Sequence, residues 1–266
     1  MSKPRLQDKV AIVVGGGQQP GDTIGNGRAT AERFAEEGAT LLVVDINESY
    51  AQSTLDAVKA SGHPCSLLRA DITKEEDCAL IARTCMERYG RIDILHNNVG
   101  MSKGDAKTTE LPVEVWDALM AMNLKGMFMT CKHVLPHMIA ARSGVILNVS
   151  STASKAARPT LTYKTSKGAV NALTQHIAME NAKFGIRANA ILPGLIDTPM
   201  AINRRAQERG VSPDVIRAER NALVPLGRMG SAWDTANAAV FLASDEASYI
   251  TGVLLPVDGG LLQKRG

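Results

Sequence analysis

The sequence predicts an α/β protein: a doubly wound parallel sheet of about seven strands, helices on both faces, in a single domain over residues 1–266. Three observations predict it. Short aliphatic runs alternate with helical stretches along the whole chain. The first run, Val10–Val14, opens into a glycine-rich turn, Gly15 to Gly27, that leads straight into a helical stretch. The second run ends on a carboxylate, Asp45. Strands separated by helices need crossover connections, and these make the strands parallel and cover both faces.

Arg28 to Glu37 reads as the first helix, closed by Gly38. Strand, glycine-rich turn and helix, in that order, let backbone N–H groups and a helix N-terminus cradle a pyrophosphate. Glycines also serve any tight connection, so position after the first strand carries this reading. Leu41–Val44 is the second strand, and Asp45 lies 18 positions past Gly27. That spacing places its carboxylate to bind adenosine ribose hydroxyls; capping the helix that starts near Asn47 and Glu48 is the other role open to it. Gln52 to Ser61 reads as a helix and Ser66 to Ala70 as a strand. Asp71-Ile72-Thr73 is a turn able to cap the next helix, Glu75 to Tyr89. Ile92–His96 is the fourth strand, ended by Asn97-Asn98-Val99-Gly100. Ile146–Val149, Ala188–Leu192 and Val253–Val257 are the fifth, sixth and seventh. Sites in such folds lie at the carboxyl ends of the strands. Asn97, Ser150, Ser151 and Pro193-Gly194 should therefore converge.

Composition narrows the function. With 266 residues, 45% hydrophobic and 21% charged, one globular core is expected, with no repeat, low-complexity tract or linker to divide it. A net charge of +3 is too small to argue for nucleic acid or an anionic membrane as partner. No basic, aromatic-interleaved stretch supports single-strand binding. The four cysteines form no CxxC and have no histidine cluster beside them, so reduced thiols and no metal site are expected. Cys78 and Cys85, one heptad apart, should share a helix face. Met1 to Arg5 leads into no signal-like apolar stretch, and no run is long enough to span a membrane; a soluble cytoplasmic protein is expected.

The chemistry centres on Tyr163-Lys164-Thr165-Ser166-Lys167. The run to Lys183 has no proline and Gly168 as its one breaker, so it reads as a helix. Residues four apart share a face, which sets the Tyr163 phenol beside the Lys167 ammonium. A tyrosine hydroxyl ordinarily titrates near ~10. A neighbouring cation favours the phenolate and makes the hydroxyl a usable general acid and base. An ordinary surface helix also carries such pairs; the upstream motifs decide between the two.

In order and spacing these motifs resemble the short-chain dehydrogenase/reductase family, over essentially the whole chain. The matching elements are the glycine-rich turn, Asp71, Asn97-Asn98-Val99-Gly100 and Asn123 in Met122-Asn123-Leu124. They continue through Asn148-Val149-Ser150-Ser151, Tyr163-xxx-Lys167, Pro193-Gly194-Leu195-Ile196-Asp197-Thr198-Pro199 and Val257-Asp258-Gly259-Gly260. The resemblance implies a Rossmann-type fold and roles residue by residue. Ser151 would hydrogen-bond the substrate oxygen, with Ser150 its competitor, and Tyr163 would donate or accept the proton. Lys167 would bind the nicotinamide ribose, and Asn123 would hold a water linking Lys167 to solvent. Asp71 would contact adenine, Asn97 would sit beside the adenosine ribose, and Thr198 near the carboxamide. Gly15, Gly25, Gly27, Asp45, Ile46, Ile72, Val99, Gly100, Pro193, Gly194 and Ile196 complete the expected coenzyme contacts.

Two departures stand out. Val14 replaces the family's usual Thr before the turn, and nine residues, rather than three, separate Gly15 from Gly25. The extra residues around Gln18 to Asp22 read either as a flap or as a simple surface bulge. Val99, where the family usually has Ala, is a minor packing change. Between Pro199 and Gly230 the chain carries six arginines; in this family that stretch, about 199–230, is the variable substrate lid. An anionic substrate and a charged, solvated helix face both fit.

The expected activity is an NAD-dependent secondary-alcohol dehydrogenase or ketone reductase, assembled as a homo-oligomer, by resemblance a tetramer. Ala169, Val170, Ala172, Leu173, Ile177 and Ala178, apolar on more than one face, support assembly. Asp45 favours NAD, because a 2′-phosphate would meet its carboxylate and no Arg or Lys stands locally to rescue it. The alternatives are a 3-oxoacyl-thioester reductase and a catalytically silent dinucleotide sensor.

Overall fold

A computed structural model describes residues 3–156 and 160–264, so Met1 and Ser2 of the N-terminal stretch lie outside the described residues. Its centre is a seven-stranded sheet whose paired strands all run parallel. Strands β1 (Val10–Val14), β2 (Thr40–Asp45), β3 (Cys65–Arg69) and β4 (Ile94–Asn97) alternate with helices α1 (Asn26–Glu36), α2 (Glu48–Ala60) and α3 (Glu75–Tyr89). Helices α4 (Val113–Met120) and α5 (Gly126–Ala141) follow, joined by a π turn over Ala121–Lys125, and then β5 (Gly144–Val149). The chain goes on through α6 (Leu161–Asn181), β6 (Ile186–Pro193), β7 (Ile196–Asp197), α7 (Pro199–Arg209), α8 (Pro213–Leu223), β8 (Gly230–Ser231), α9 (Ala232–Ala243) and β9 (Leu254–Val257). The strand order is β3-β2-β1-β4-β5-β6-β9, so the order reverses between β1 and β4. The short β7 and β8 pair separately, holding the start of α7 against the start of α9.

Alternation along each strand feeds two cores, one per face. Ile12, Val14, Leu42 and Val44 point to the side covered by Ile81 and Cys85 of α3, Val134 and Met138 of α5 and Ile177 of α6. Ala11, Val13, Leu41 and Val43 point to the other, against Phe34 and Ala35 of α1, Val58 of α2 and Val240 of α9. Cys78 and Cys85 share the buried face of α3, as their spacing predicts. The cysteines are free thiols. Among the described residues no helix is long and apolar enough to cross a membrane, and no His, Cys, Asp and Glu cluster is arranged to hold a metal.

Candidate active site

A cleft of about 980 Å³ opens along the carboxyl ends of the strands and spans the reversal point between β1 and β4. Gly15, Gly25, Gly27, Asp45, Ile46, Asp71, Ile72, Val99 and Gly100 line one part of it. Ser151, Tyr163, Lys167, Pro193, Gly194, Ile196 and Thr198 line the rest. Residues from six connections thus meet in one space.

The turn after β1 is tight where the sequence puts glycine. A Cβ on Gly27 would stand 1.9 Å from the Gly15 carbonyl oxygen, so the start of α1 can approach β1 with glycine alone. Gly15 itself has φ +74°. The Asn98 amide donates to the Gly15 carbonyl (3.0 Å) and ties β4's end to the turn. Asp45 accepts from Gly17 N–H and Asn47 N–H, each at 3.0 Å, and does not cap α2: Asn47 does, accepting from Ser49 and Tyr50. Asp71 likewise closes its own turn, accepting from Thr73 N–H and Oγ1, and leaves α3 uncapped by a side chain. The N-terminus of α1 has no side-chain cap and no acidic residue in its first turn. Asn26 Oδ1, buried at this same place, has no partner among the described residues.

The longer turn is neither a free flap nor a plain bulge. Gln18 staples it, accepting from Gly25 N–H and donating to the Gln19 and Thr23 carbonyls. A Cβ on Gly21 would stand 2.7 Å from Pro199, and Asp22 pairs with Arg217 at 2.6 Å. Arg217 also binds Asp197 and Asp214. The turn therefore rests on α7 and α8.

Helix α6 brings Tyr163 and Lys167 to the cleft. Lys167 is buried, donating to the carbonyls of Val149 (2.7 Å) and Val99 (3.1 Å), with Nζ 5.9 Å from the centre of the Tyr163 ring. Burial pushes its ammonium down to about 7. Gly100 makes room for it: a Cβ there would meet Lys167 Nζ at 2.8 Å. The Ser150 hydroxyl donates to the Lys167 carbonyl (2.9 Å) and holds the helix to β5. Ser151 accepts from Ala153 N–H while facing the cleft.

Two expected residues stand elsewhere. Asn97 does not reach the cleft: its side chain is buried, donating to Asn148 Oδ1 (2.9 Å) and accepting from Thr130 Oγ1 (2.9 Å). Strand alternation turns Asn97 inward and hands the cleft to Asn98. Asn123 sits in the π turn behind the cleft wall. Its amide brackets Met101, accepting from N–H (2.8 Å) and donating to the carbonyl (2.9 Å), and donates to Ser166 Oγ (3.2 Å). Its side chain thus braces the wall against α6.

Sequence reasoning missed Asp105. Its carboxylate accepts from Thr162 N–H (3.0 Å) and Tyr163 N–H (2.8 Å), capping α6 where Thr160 supplies no cap. The partners lie 58 positions apart at most, beyond any local motif. It missed too that three of the six arginines between Pro199 and Gly230 line the cleft: Arg204, Arg205 and Arg220. It also overlooked Arg69, paired in register with Asp45 and donating to the Ile46 carbonyl at 3.3 Å.

Comparison with known proteins agrees with this geometry. A family model described as enoyl-(acyl carrier protein) reductase matches residues 22–262. The chain is 38% identical to 2-(R)-hydroxypropyl-CoM dehydrogenase of Xanthobacter autotrophicus, over 94% of this chain and 97% of that one. It is 36% identical to a 3-oxoacyl-[acyl-carrier-protein] reductase of Thermotoga maritima, over 97% and 99%. A crystal structure from Burkholderia xenovorans, assigned as a short-chain dehydrogenase/reductase, superposes with a TM-score of 0.93 at 36% identity, over 99% and 100%.

Proposed function

The chain belongs to the short-chain dehydrogenase/reductase family, an oxidoreductase family, and within it we propose an NAD-dependent enzyme that interconverts a secondary alcohol and a ketone. One observation carries this reading. A single cleft holds both a glycine-walled cradle at a helix N-terminus and the group Ser151, Tyr163 and Lys167.

The cradle fits a dinucleotide. The uncapped start of α1 offers backbone donors to a pyrophosphate, and the unpartnered Asn26 oxygen offers an acceptor to a neighbouring hydroxyl. Asp45 and the exposed Ile46 stand where a ribose and adenine would rest. Bound nicotinamide supplies or accepts the hydride. The chain's residues handle the proton: in reduction the Tyr163 O–H bond breaks as a new O–H bond forms on the carbonyl oxygen, and Ser151 donates a hydrogen bond to that oxygen. The Lys167 ammonium stabilises the phenolate left behind, which a proton from solvent restores.

NAD is favoured because Asp45 presents a carboxylate to the cleft. Arg28, directly after the glycine-rich turn, is engaged by Glu32 and Ser53. Arg69 is the correction to the expectation that no cation stands locally, and it gives NADP its one structural argument. A 3-oxoacyl-thioester reductase remains the alternative, favoured by the Thermotoga relative. We also propose a homo-oligomer, by family resemblance a tetramer.

The test compares kcat/KM with NADH and NADPH on a panel of ketones and acyl thioesters. Unmodified protein should prefer NADH on a ketone, and Asp45→Ala with Ile46→Arg should shrink or reverse that preference. Tyr163→Phe should keep coenzyme affinity and lower kcat by ~10²–10⁴. Equal use of NADPH would refute the role given to Asp45; near-normal turnover by the Phe variant would refute the mechanism.

A further inference from the structure

The end of the cleft walled by α7 is rich in arginine. Arg204, Arg205 and Arg220 line it together with Glu208, which is 59% exposed. The other acid nearby, Asp105, is engaged by the Thr162 and Tyr163 amides. Arg204 is tied to the opposite wall. Its Nη2 donates to Ser102 Oγ at 3.2 Å, across from α7 to the loop after β4. Its Nε is buried, makes no hydrogen bond among the described residues, and is ion-paired with Glu208 at 3.6 Å. An ion pair with so exposed a carboxylate is weak, which leaves the guanidinium able to bind a second carboxylate.

The distance to the reacting end is bounded by the chain. A Cβ on Gly100, two residues before Ser102, would meet Lys167 Nζ at 2.8 Å and the Tyr163 ring at 3.9 Å. Two residues span at most ~7 Å, so the guanidinium lies within about 13 Å of that packing point. Resting on the reading that this cleft oxidises alcohols or reduces ketones, we propose that its substrate is a short oxo or hydroxy acid. Its carboxylate binds the planar Arg204 fork while its carbonyl or carbinol faces Tyr163.

The experiment uses 4-oxopentanoate and its methyl ester, with NADH and the full chain. The acid should be favoured in kcat/KM by at least about tenfold, and Arg204→Gln should erase this through KM for the acid, leaving the ester within about twofold. Arg209→Gln, which removes an arginine paired with Glu219 outside the cleft, should preserve the preference. Equal use of acid and ester, or a preference that survives Arg204→Gln, overturns the proposal. Should neither ketone turn over, calorimetry of 4-oxopentanoate into the NADH-loaded protein separates the two claims. Binding heat lost in Arg204→Gln upholds the carboxylate site and counts against the redox reading; heat absent, or equal in both proteins, overturns the site.

Discussion

His96 and Asn97 are neighbours on β4, both fully within the protein, and their surroundings differ sharply. The Asn97 amide is matched on both sides by Asn148 and Thr130. Neither ring nitrogen of His96 has a protein partner among the described residues, and the ring packs edge-on against Phe34 at 5.9 Å. Burial pushes the His96 imidazole down to about 3. The folded state therefore keeps His96 neutral while the unfolded chain takes up a proton below about 6.5. Stability should fall as pH drops from about 6.5 to 3, by up to about 5 kcal/mol from this group. His96→Leu should flatten that slope and cost little at pH 7, since it removes two unmatched polar atoms. Urea unfolding between pH 4 and 7 measures it; parallel slopes in both proteins would contradict the assignment. Neither residue's surroundings were legible in the sequence. A polar residue closing a strand reads as a ligand contact, and the partner that claims Asn97 lies 51 positions away.

Helix α6 owes the placement of its first turn to a residue outside it. Asp105 accepts the amides that Thr160 leaves uncapped, so Asp105→Ala should cost ~0.5–2 kcal/mol of stability. Displacing Tyr163 should also lower kcat more than it raises KM, and Asp105→Asn should restore part of it. Denaturation midpoints together with steady-state kinetics check this, and an Ala variant with unaltered kcat would remove Asp105 from the positioning of Tyr163. At this scale the sequence was readable where punctuation and periodicity agree: β1 and α3 match their expected bounds, and β2, β3, β4, β5, β6 and β9 differ at their ends. The long helical passage from Val113 to Ala141 went unread. Gly126 and Pro136 interrupt it as breakers do, yet tertiary contact keeps it helical: a Cβ on Gly126 would meet Ile72 at 2.6 Å. Strands β7 and β8, two residues each, are too short to show a period.

Across the whole molecule, the apolar set on α6 is largely used inside the chain. Val170, Ile177 and Ala178 are buried, Ala169 and Leu173 half-buried, and Ala172 exposed. The proposed assembly would therefore use Ala172 and Met179 of α6 and Phe128 of α5, all exposed. Light scattering at micromolar concentration should return a multiple of the chain mass, and a monomer would sink the assembly reading. Order and spacing made the cleft itself legible, since most of its motifs end strands and parallel strands end on one side. What the sequence could not show was which distant segments lean on each other. The turn after β1 is the telling case. Gly21 and Asp22 rest on Pro199 and Arg217, far along the chain, while Gln18 closes the turn locally. For recombination between related chains, the two segments form one exchangeable cassette. Grafting residues 199–223 from a relative with the shorter turn would strip Asp22 of its cation and leave Gly21 facing unmatched shape, whereas moving both segments together carries the joint intact.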